Sequence, residues 1–246
     1  MLIAIFADIH SNRQAFSACL AQAKSFGAQQ FVLLGDLVGY GADPEWAVQT
    51  AIELIEKGAL AVLGNHDSAV SNSRERMNVE AQIAIEWTRG ALALTEQKFL
   101  EQLPLTREHH GHLYVHADAS SPRSWRYVLD ADDAARSMRA TSSSITFCGH
   151  VHRPALYTRS ATGTVSSFTP TAGVAIRLLP HRQWLAVLGS VGQPRDGNPA
   201  ASYAIFDTDR RELTYCRAPY DVEEAGARIR QAGLPAWLAD RLLLGR

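Results

Sequence analysis

A chain of 246 residues, 46% of them hydrophobic, is long enough to bury most of its apolar surface in one large α/β domain or two small ones. Its 24 Lys and Arg stand against 25 Asp and Glu, so charge announces no nucleic-acid binding, and three widely spaced cysteines, Cys19, Cys148 and Cys216, favour reduced thiols over a disulfide framework. The apolar residues 1–7 lack a positive n-region and a cleavage site, Asp8 interrupts them, and no apolar run reaches membrane-spanning length, so a cytoplasmic protein with no membrane partner is expected.

Taken in order, residues 2–7 read as a first strand ending in Asp8-Ile9-His10, and Asn12 reads as the cap of a helix running to about Phe26, in preference to a substrate ligand. Residues 31–34 form a second strand, closed by Gly35-Asp36. A helix begins near Pro44 and stops at Gly58, and residues 60–63 form a third strand that runs into Gly64-Asn65-His66-Asp67. Residues 79–89 and 95–103 are predicted helices, the latter stopped by Pro104. Gly111, among His109, His110 and His112, reads as the tip of a hairpin, which makes these histidines a solvated turn and not a metal site. Residues 113–115 then lead to His116, a helix spans Asp130 to Ala140, and residues 145–148 lead to Gly149-His150-Val151-His152. Beyond His152 the pattern changes to strands at 155–158, 165–168, 175–179, 184–188, 203–207 and 212–217, with His181 in a surface turn. Helices from Asp221 and from Pro235 close the chain. Without a repeat or linker, residues 1–246 are expected to form a single domain, an α/β fold of two packed mixed β-sheets flanked by helices.

The strands that precede the polar blocks are nearly free of charge and rich in β-branched and aromatic residues, as strands buried on both faces of a sheet are. Charged and metal-binding side chains therefore collect where the strands end, which in open α/β sheets is where the ligand crevice lies. Asp8 and His10 are two residues apart, so an extended strand end would point both to one side, and His150 and His152 repeat that spacing. Asp36 offers two carboxylate oxygens to bridge two ions, and Asn65 offers a neutral amide oxygen. Imidazole mixed with carboxylate and carbonyl suits Mn, Fe, Co, Ni or Zn better than Mg or Ca, and the lack of cysteine ligands points to a catalytic site with open positions. Gly35, Gly39 and Gly41 have the wrong spacing for a dinucleotide loop, and Asp36 intrudes.

Five such blocks in this order resemble those of the calcineurin-like metallophosphoesterase superfamily. The resemblance continues through Gly39-Tyr40-Gly41-Ala42-Asp43-Pro44, residues 189–197 and the Leu234-Pro235 helix, which look like a small prokaryotic phosphodiesterase subgroup. It implies that Asp8, His10, Asp36 and His152 hold one divalent metal and that Asp36, Asn65, His116 and His150 hold a second, with His66 outside both shells beside the scissile phosphate. Many members carry an Asp three residues after the bridging Asp and an Arg directly after that; here Gly39 and Tyr40 stand there, which favours phosphodiesters over protein-bound phosphomonoesters. The expected chemistry is hydrolysis of a small phosphoester by a metal-bridging hydroxide, with Mn as the first candidate and Fe, Ni, Co or Zn as others. His66 is the expected general acid, Asp67 its candidate orienting partner, and Asn65 and Arg195 candidate substrate contacts. The alternatives are a phosphomonoesterase acting on nucleotides, dinucleoside polyphosphates or phosphoproteins, and a non-catalytic metal-binding scaffold. Loss of His66 or of the bridging carboxylate would mark the scaffold, and both residues are present.

Overall fold

The computed structural model describes residues 1–72, 75 and 77–246. Twelve strands divide into two six-stranded mixed sheets. In the first sheet β1 (Leu2–Phe6), β2 (Gln30–Leu33) and β3 (Leu60–Ala61) are parallel, and β11 (Ala201–Asp207), β12 (Glu212–Ala218) and β9 (Ala175–Arg177) extend it antiparallel on the far side of β1. In the second, β5 (His112–Val115), β6 (Ile145–Cys148) and β10 (Gln183–Leu188) are parallel. Antiparallel β4 (Thr106–His109) lies on one side, and β7 (Pro154–Arg159) and β8 (Val165–Phe168) on the other.

Strand alternation explains how the sheets pack. Ile3, Ile5 and Ala7 of the first strand segment face Phe147, Trp184, Ala186 and Leu188 across a common apolar layer between the sheets. Ala4 and Phe6 point the other way, to α1 (Arg13–Ser25) and α2 (Pro44–Glu56). Cys148, Leu185 and Val187 likewise face outward to Ala134 and Met138 of α6 (Ala131–Arg139). Both faces of the central strands are thus covered, which is why they read as continuous apolar runs. Helix α1 begins where expected, with Asn12 Oδ1 accepting from the Ala15 N–H at 3.0 Å, and its apolar stripe of Ala15, Phe16, Cys19, Leu20 and Ala23 is buried. The other helices are α3 (Asn65–Ser71), α4 (Val79–Ala91), α5 (Leu94–Glu101), α7 (Val222–Gln231) and α8 (Ala236–Leu244). None of the described helices is long and apolar enough to cross a membrane.

Several expectations needed correction. Helix α3 stands where the sequence shows only a polar block, because its seven residues bury His66, Asp67 and Ser68 beside just two apolar side chains, Ala69 and Val70, and carry no apolar period. Strand β4 is a polar edge strand, Thr-Arg-Glu-His, which carries no strand signal of its own. The third strand is shorter than residues 60–63 because the Leu63 N–H leaves the ladder to donate to Pro104 O at 2.8 Å. The β4–β5 hairpin has the expected tip, with His110 and Gly111 at φ of 50° and 75°, as a two-residue turn of this kind requires. His112, however, is not solvated. Its ring is only 6% exposed and stands edge-on to Phe206, with centroids 5.2 Å apart, because it is the first inward residue of β5.

Burial, followed by the positive charge of Arg211, pushes the His112 pKa down to about 4. The unfolded chain, with an ordinary value near 6.5, therefore binds the extra proton first, and folding loses stability as pH falls from about 6.5 toward 4. We predict that His112→Phe removes about 1–2 kcal/mol of the stability lost between pH 7 and pH 5, as read from urea midpoints at the two pH values. An unchanged pH dependence would show that His112 does not contribute.

Candidate metal centre

The polar blocks meet at the carboxyl ends of the parallel strands. The β1–β2 ladder continues into the loops, with the Asp8, His10 and Ser11 N–H groups donating to Gly35, Asp36 and Leu37 carbonyls at 3.2, 2.9 and 2.9 Å. The loop after β10 closes the other side, where Val191 and Gly192 donate to Ala7 and Asp8 carbonyls at 2.9 and 2.8 Å. Asp8 ties the two sheets together at this point, its carboxylate accepting from the His150 N–H at 3.0 Å.

Pairing of Asp8 with His10, and of His150 with His152, does not come from extended strand alternation. Asp8, His10, Asp36, His150 and His152 all lie in the left-handed region, with φ between 50° and 67°. For non-glycine residues that conformation is costly, and it is held by the hydrogen bonds just described. Close approach is equally specific at Gly64, where an added Cβ would stand 2.2 Å from Asp36 Oδ1.

Hydrogen bonds orient the imidazoles. Nδ1 of His10 faces Val38 O at 3.1 Å, Nδ1 of His116 faces Leu34 O at 2.7 Å, and Nδ1 of His152 faces Gln193 O at 2.7 Å. A carbonyl can only accept, so each Nδ1 carries the proton and each Nε2 turns a lone pair inward. The inward atoms crowd together. His10 Nε2 and His152 Nε2 are 3.1 Å apart, and His116 Nε2 is 3.1 Å from both His150 Nδ1 and Asn65 Oδ1. Asp36 Oδ2 lies between the two groups, 3.7 Å from His10 Nε2 and 3.4 Å from His116 Nε2, while Asp8 Oδ1 is 3.4 Å from His152 Nε2. Acceptors facing acceptors in a buried space call for a cation, so the donor set fits divalent metal ions. Ligand atoms of Asp8, His10 and His152 fall within 4.8 Å of one another, as do those of Asp36, His116 and His150.

Electrostatics agree with this. Burial, then the neighbouring imidazoles, hold His10 well below the ordinary histidine range and push His150 down to about 3, so both present lone pairs. Burial opposes ionisation of Asp36, but His116, His66 and His10 around it outweigh that cost and hold its carboxyl well below the usual range. His116 is the exception among the ligand candidates: burial alone would lower it, yet Asp36 raises it to about 9, a proton that a bound cation would displace.

His66, on the first turn of α3, has its ring 4.8 Å from that of His10 and 4.5 Å from that of Tyr40. Its ligand atom also falls within 4.8 Å of those of His10 and Asp36. Its buried Nδ1 has no hydrogen-bond partner. The expected orienting contact from Asp67 is not formed. Both Asp67 oxygens accept backbone N–H groups, from Val38 at 3.2 Å and Gly64 at 3.1 Å, because a carboxylate at the third residue of a short helix reaches back to its cap. Instead Gly39, at φ 90°, lets the ring in, and a Cβ there would stand 2.4 Å from His66 Nδ1.

A cavity of about 640 Å³ opens over the centre, and Arg195 lines it along with Asp36, Asn65 and His66. Arg195 donates to Gln193 Oε1 at 2.9 Å and lies 5.8 Å over the Tyr40 ring. Lining residues that the sequence reading does not reach include Arg123, Trp125 and Tyr127, the last stacked on His150 with ring centroids 4.2 Å apart. The aromatic-rich Ser-Trp-Arg-Tyr segment was the available signal for two of them; Arg123 had none.

Two mixed sheets that converge their strand ends on a buried His/Asp cluster, below an open polar cavity, define a metal-dependent hydrolase class. A family model for the calcineurin-like phosphoesterase superfamily domain matches residues 1–211. The chain belongs to that superfamily, whose members are phosphoester hydrolases that usually bind divalent metals. It is 36% identical over 253 residues to an uncharacterized protein of Methanocaldococcus jannaschii, covering 100% of this chain and 98% of the relative. The crystal structure of a metallophosphoesterase from Sphaerobacter thermophilus is 33% identical, with a TM-score of 0.87 and full coverage of both chains. A hypothetical protein from Pyrococcus horikoshii shares the fold at 16% identity and a TM-score of 0.80, covering 100% of this chain and 98% of its own.

If Asp36 draws the two ligand groups onto shared cations, Asp36→Asn should lower bound Mn by at least about half in elemental analysis and shrink the rise in Tm that Mn produces. Wild-type metal content in the folded variant would exclude that role.

Proposed function

We propose that the chain is a phosphodiesterase working through a dinuclear centre, with Asp8, His10, Asp36 and His152 holding one cation and Asp36, Asn65, His116 and His150 the other. The position of Asp36 Oδ2 between the two imidazole groups is the observation that carries this. Mn is the first candidate, and Fe, Co, Ni and Zn suit the same donors. Such ions lower the pKa of a bound water and neutralise phosphoryl oxygens. A small phosphoester matches the open polar cavity. A cytoplasmic location is consistent with three free, buried cysteines.

The chain's own residues have separate tasks. Nδ1 of His66 is shut behind Gly39, so Nε2 is the nitrogen left to meet the leaving oxygen and supply a proton to it. Burial pulls His66 down to about 4, and an anionic phosphoryl group beside it favours its protonated form. Tyr40 packs against both His10 and His66, with ring centroids 4.6 and 4.5 Å away. It supplies no cation, so a phosphomonoester dianion lacks one charge-assisted clamp next to the bridging Asp, and a diester with one negative charge suffers less.

A second possibility, a phosphomonoesterase, draws support from Arg123 and Arg195 in the cavity wall, which could grip a dianion from other directions. Comparing bis-p-nitrophenyl phosphate with p-nitrophenyl phosphate at equal Mn occupancy separates the two. A kcat/KM ratio above one is expected, falling in Tyr40→Arg; a wild-type ratio well below one would reject the diesterase proposal.

His66→Gln should keep wild-type metal content while turnover falls by roughly 10²- to 10⁴-fold, the usual worth of proton transfer to a leaving group. Metal loss equal to that of Asp36→Asn would instead make His66 a ligand.

A further inference from the structure

Behind His152 lies a second cavity, of about 520 Å³, lined by Arg153, Arg195, Arg241 and Arg246 with Asp196 and Gly197. Arg195 lines this groove and the cavity over the metal centre as well, so the two spaces share a wall. Chain connectivity keeps them in register. Arg153 directly follows His152, its Nε donates to Arg195 O at 2.7 Å, and the Arg195 N–H donates back to His152 O at 3.1 Å. Gly197 N–H donates to Gly245 O at 2.9 Å, which brings the end of α8, and Arg246 with it, against the same loop.

Positive charge in the groove is in excess. The carboxylate in its wall, Asp196, is already bonded to Arg217. Arg228 and Arg230 of neighbouring α7 pair with Asp43 and Asp240. None of the four groove arginines pairs with an Asp or Glu side chain among the described residues. Arg153 uses Nε on the Arg195 carbonyl, Arg241 uses Nε on an oxygen of the Arg246 carboxyl group, and Arg195 uses its guanidinium on the neutral Gln193 amide. Arg241 also lies 4.7 Å over the Trp237 ring. Burial and then the charge of Arg195 lower the Arg241 pKa, with Tyr40 and Glu80 as the opposing influences. Like charges gathered in a groove attract an anion strongly, and guanidinium groups match the paired oxygens of phosphate.

We propose that this groove binds a second phosphate group of the substrate. The preferred substrates are then phosphodiesters that carry a further phosphate on the part held beside Arg195, as in nucleoside bisphosphate esters and short 5′-phosphorylated oligonucleotides, and Arg153, Arg241 and Arg246 select for it. The assignment rests on the phosphoesterase function proposed above, since it gives the scissile phosphate the first cavity and the extra phosphate the second.

Calorimetry on the Mn-loaded full chain carrying His66→Gln to suppress turnover, with thymidine 5′-monophosphate, thymidine 3′,5′-bisphosphate and 5′-phosphorylated dithymidylate as probes, tests binding, and the wild-type chain is kept for the hydrolysis assay. At least one of the two probes with a second phosphate should bind tenfold or more tightly than the monophosphate, with a steeper salt dependence. That advantage should vanish in Arg241→Gln/Arg246→Gln and shrink in Arg246→Gln, whose side chain holds no hydrogen bond among the described residues and so leaves α8 intact. Equal affinity for all three probes, or an advantage that survives in the folded double variant, would overturn the proposal. Hydrolysis of bis-p-nitrophenyl phosphate is measured in parallel. Hydrolysis with no binding advantage refutes the second phosphate site alone, whereas a binding advantage with no hydrolysis of any diester refutes the esterase function alone.

Discussion

Donation of Nδ1–H by His10, His116 and His152 to main-chain carbonyls is the interaction on which the rest of the centre depends. Each bond selects one tautomer and turns a lone pair toward the same buried point. Without those carbonyls the rings could rotate, or place N–H groups inward, and the cluster would repel a cation instead of holding one. The carbonyls belong to Leu34 and Val38 on the segment after β2 and to Gln193 on the segment after β10. Second-sphere order is thus built from backbone, and side-chain substitution alone cannot easily remove it.

Such backbone must be kept in an unfavourable shape. Five of the expected ligands have left-handed φ, and the cost is met by the apolar layer between the sheets and by ladders that run on past the strand ends. Asp8 shows the linkage most directly. Its N–H continues the first sheet's ladder, its carbonyl accepts from the loop after β10, and its carboxylate accepts from His150. One residue therefore couples both sheets to the His/Asp cluster. Glycines at 39 and 64 serve the same end by admitting His66 and Asp36 where any Cβ would collide.

Much of this was legible from residue order. Charge-free runs ending in Asp8, Asp36, Asn65, His116 and His150 marked the strands and their ends, and the seven expected ligands do converge around Asp36. The failures were local and share a cause. Sequence adjacency suggests Asp67 as a partner for His66, but adjacency on a helix points side chains apart, and the backbone N–H groups of Val38 and Gly64 take its oxygens. Nearness to a hairpin tip suggests a solvated His112, while one step of strand alternation turns it into the core. Helix α3 and strand β4 lack an apolar period, so nothing in their composition distinguished them from loop.

By itself the sequence determined the two-sheet α/β architecture, the candidate donor residues and the superfamily, because hydrophobic periodicity and side-chain chemistry are properties of residue type and order. Only the tertiary structure decided which imidazole nitrogen faces inward, that Gly39 and Tyr40 and not Asp67 set the place of His66, and that Arg123, Trp125 and Tyr127 wall the cavity. Likewise the grouping of Arg153, Arg195, Arg241 and Arg246 joins residues up to 93 positions apart. These are relations between segments far apart in the chain. Their distances follow from how the sheets pack and where the loops are tied, and no local pattern encodes them.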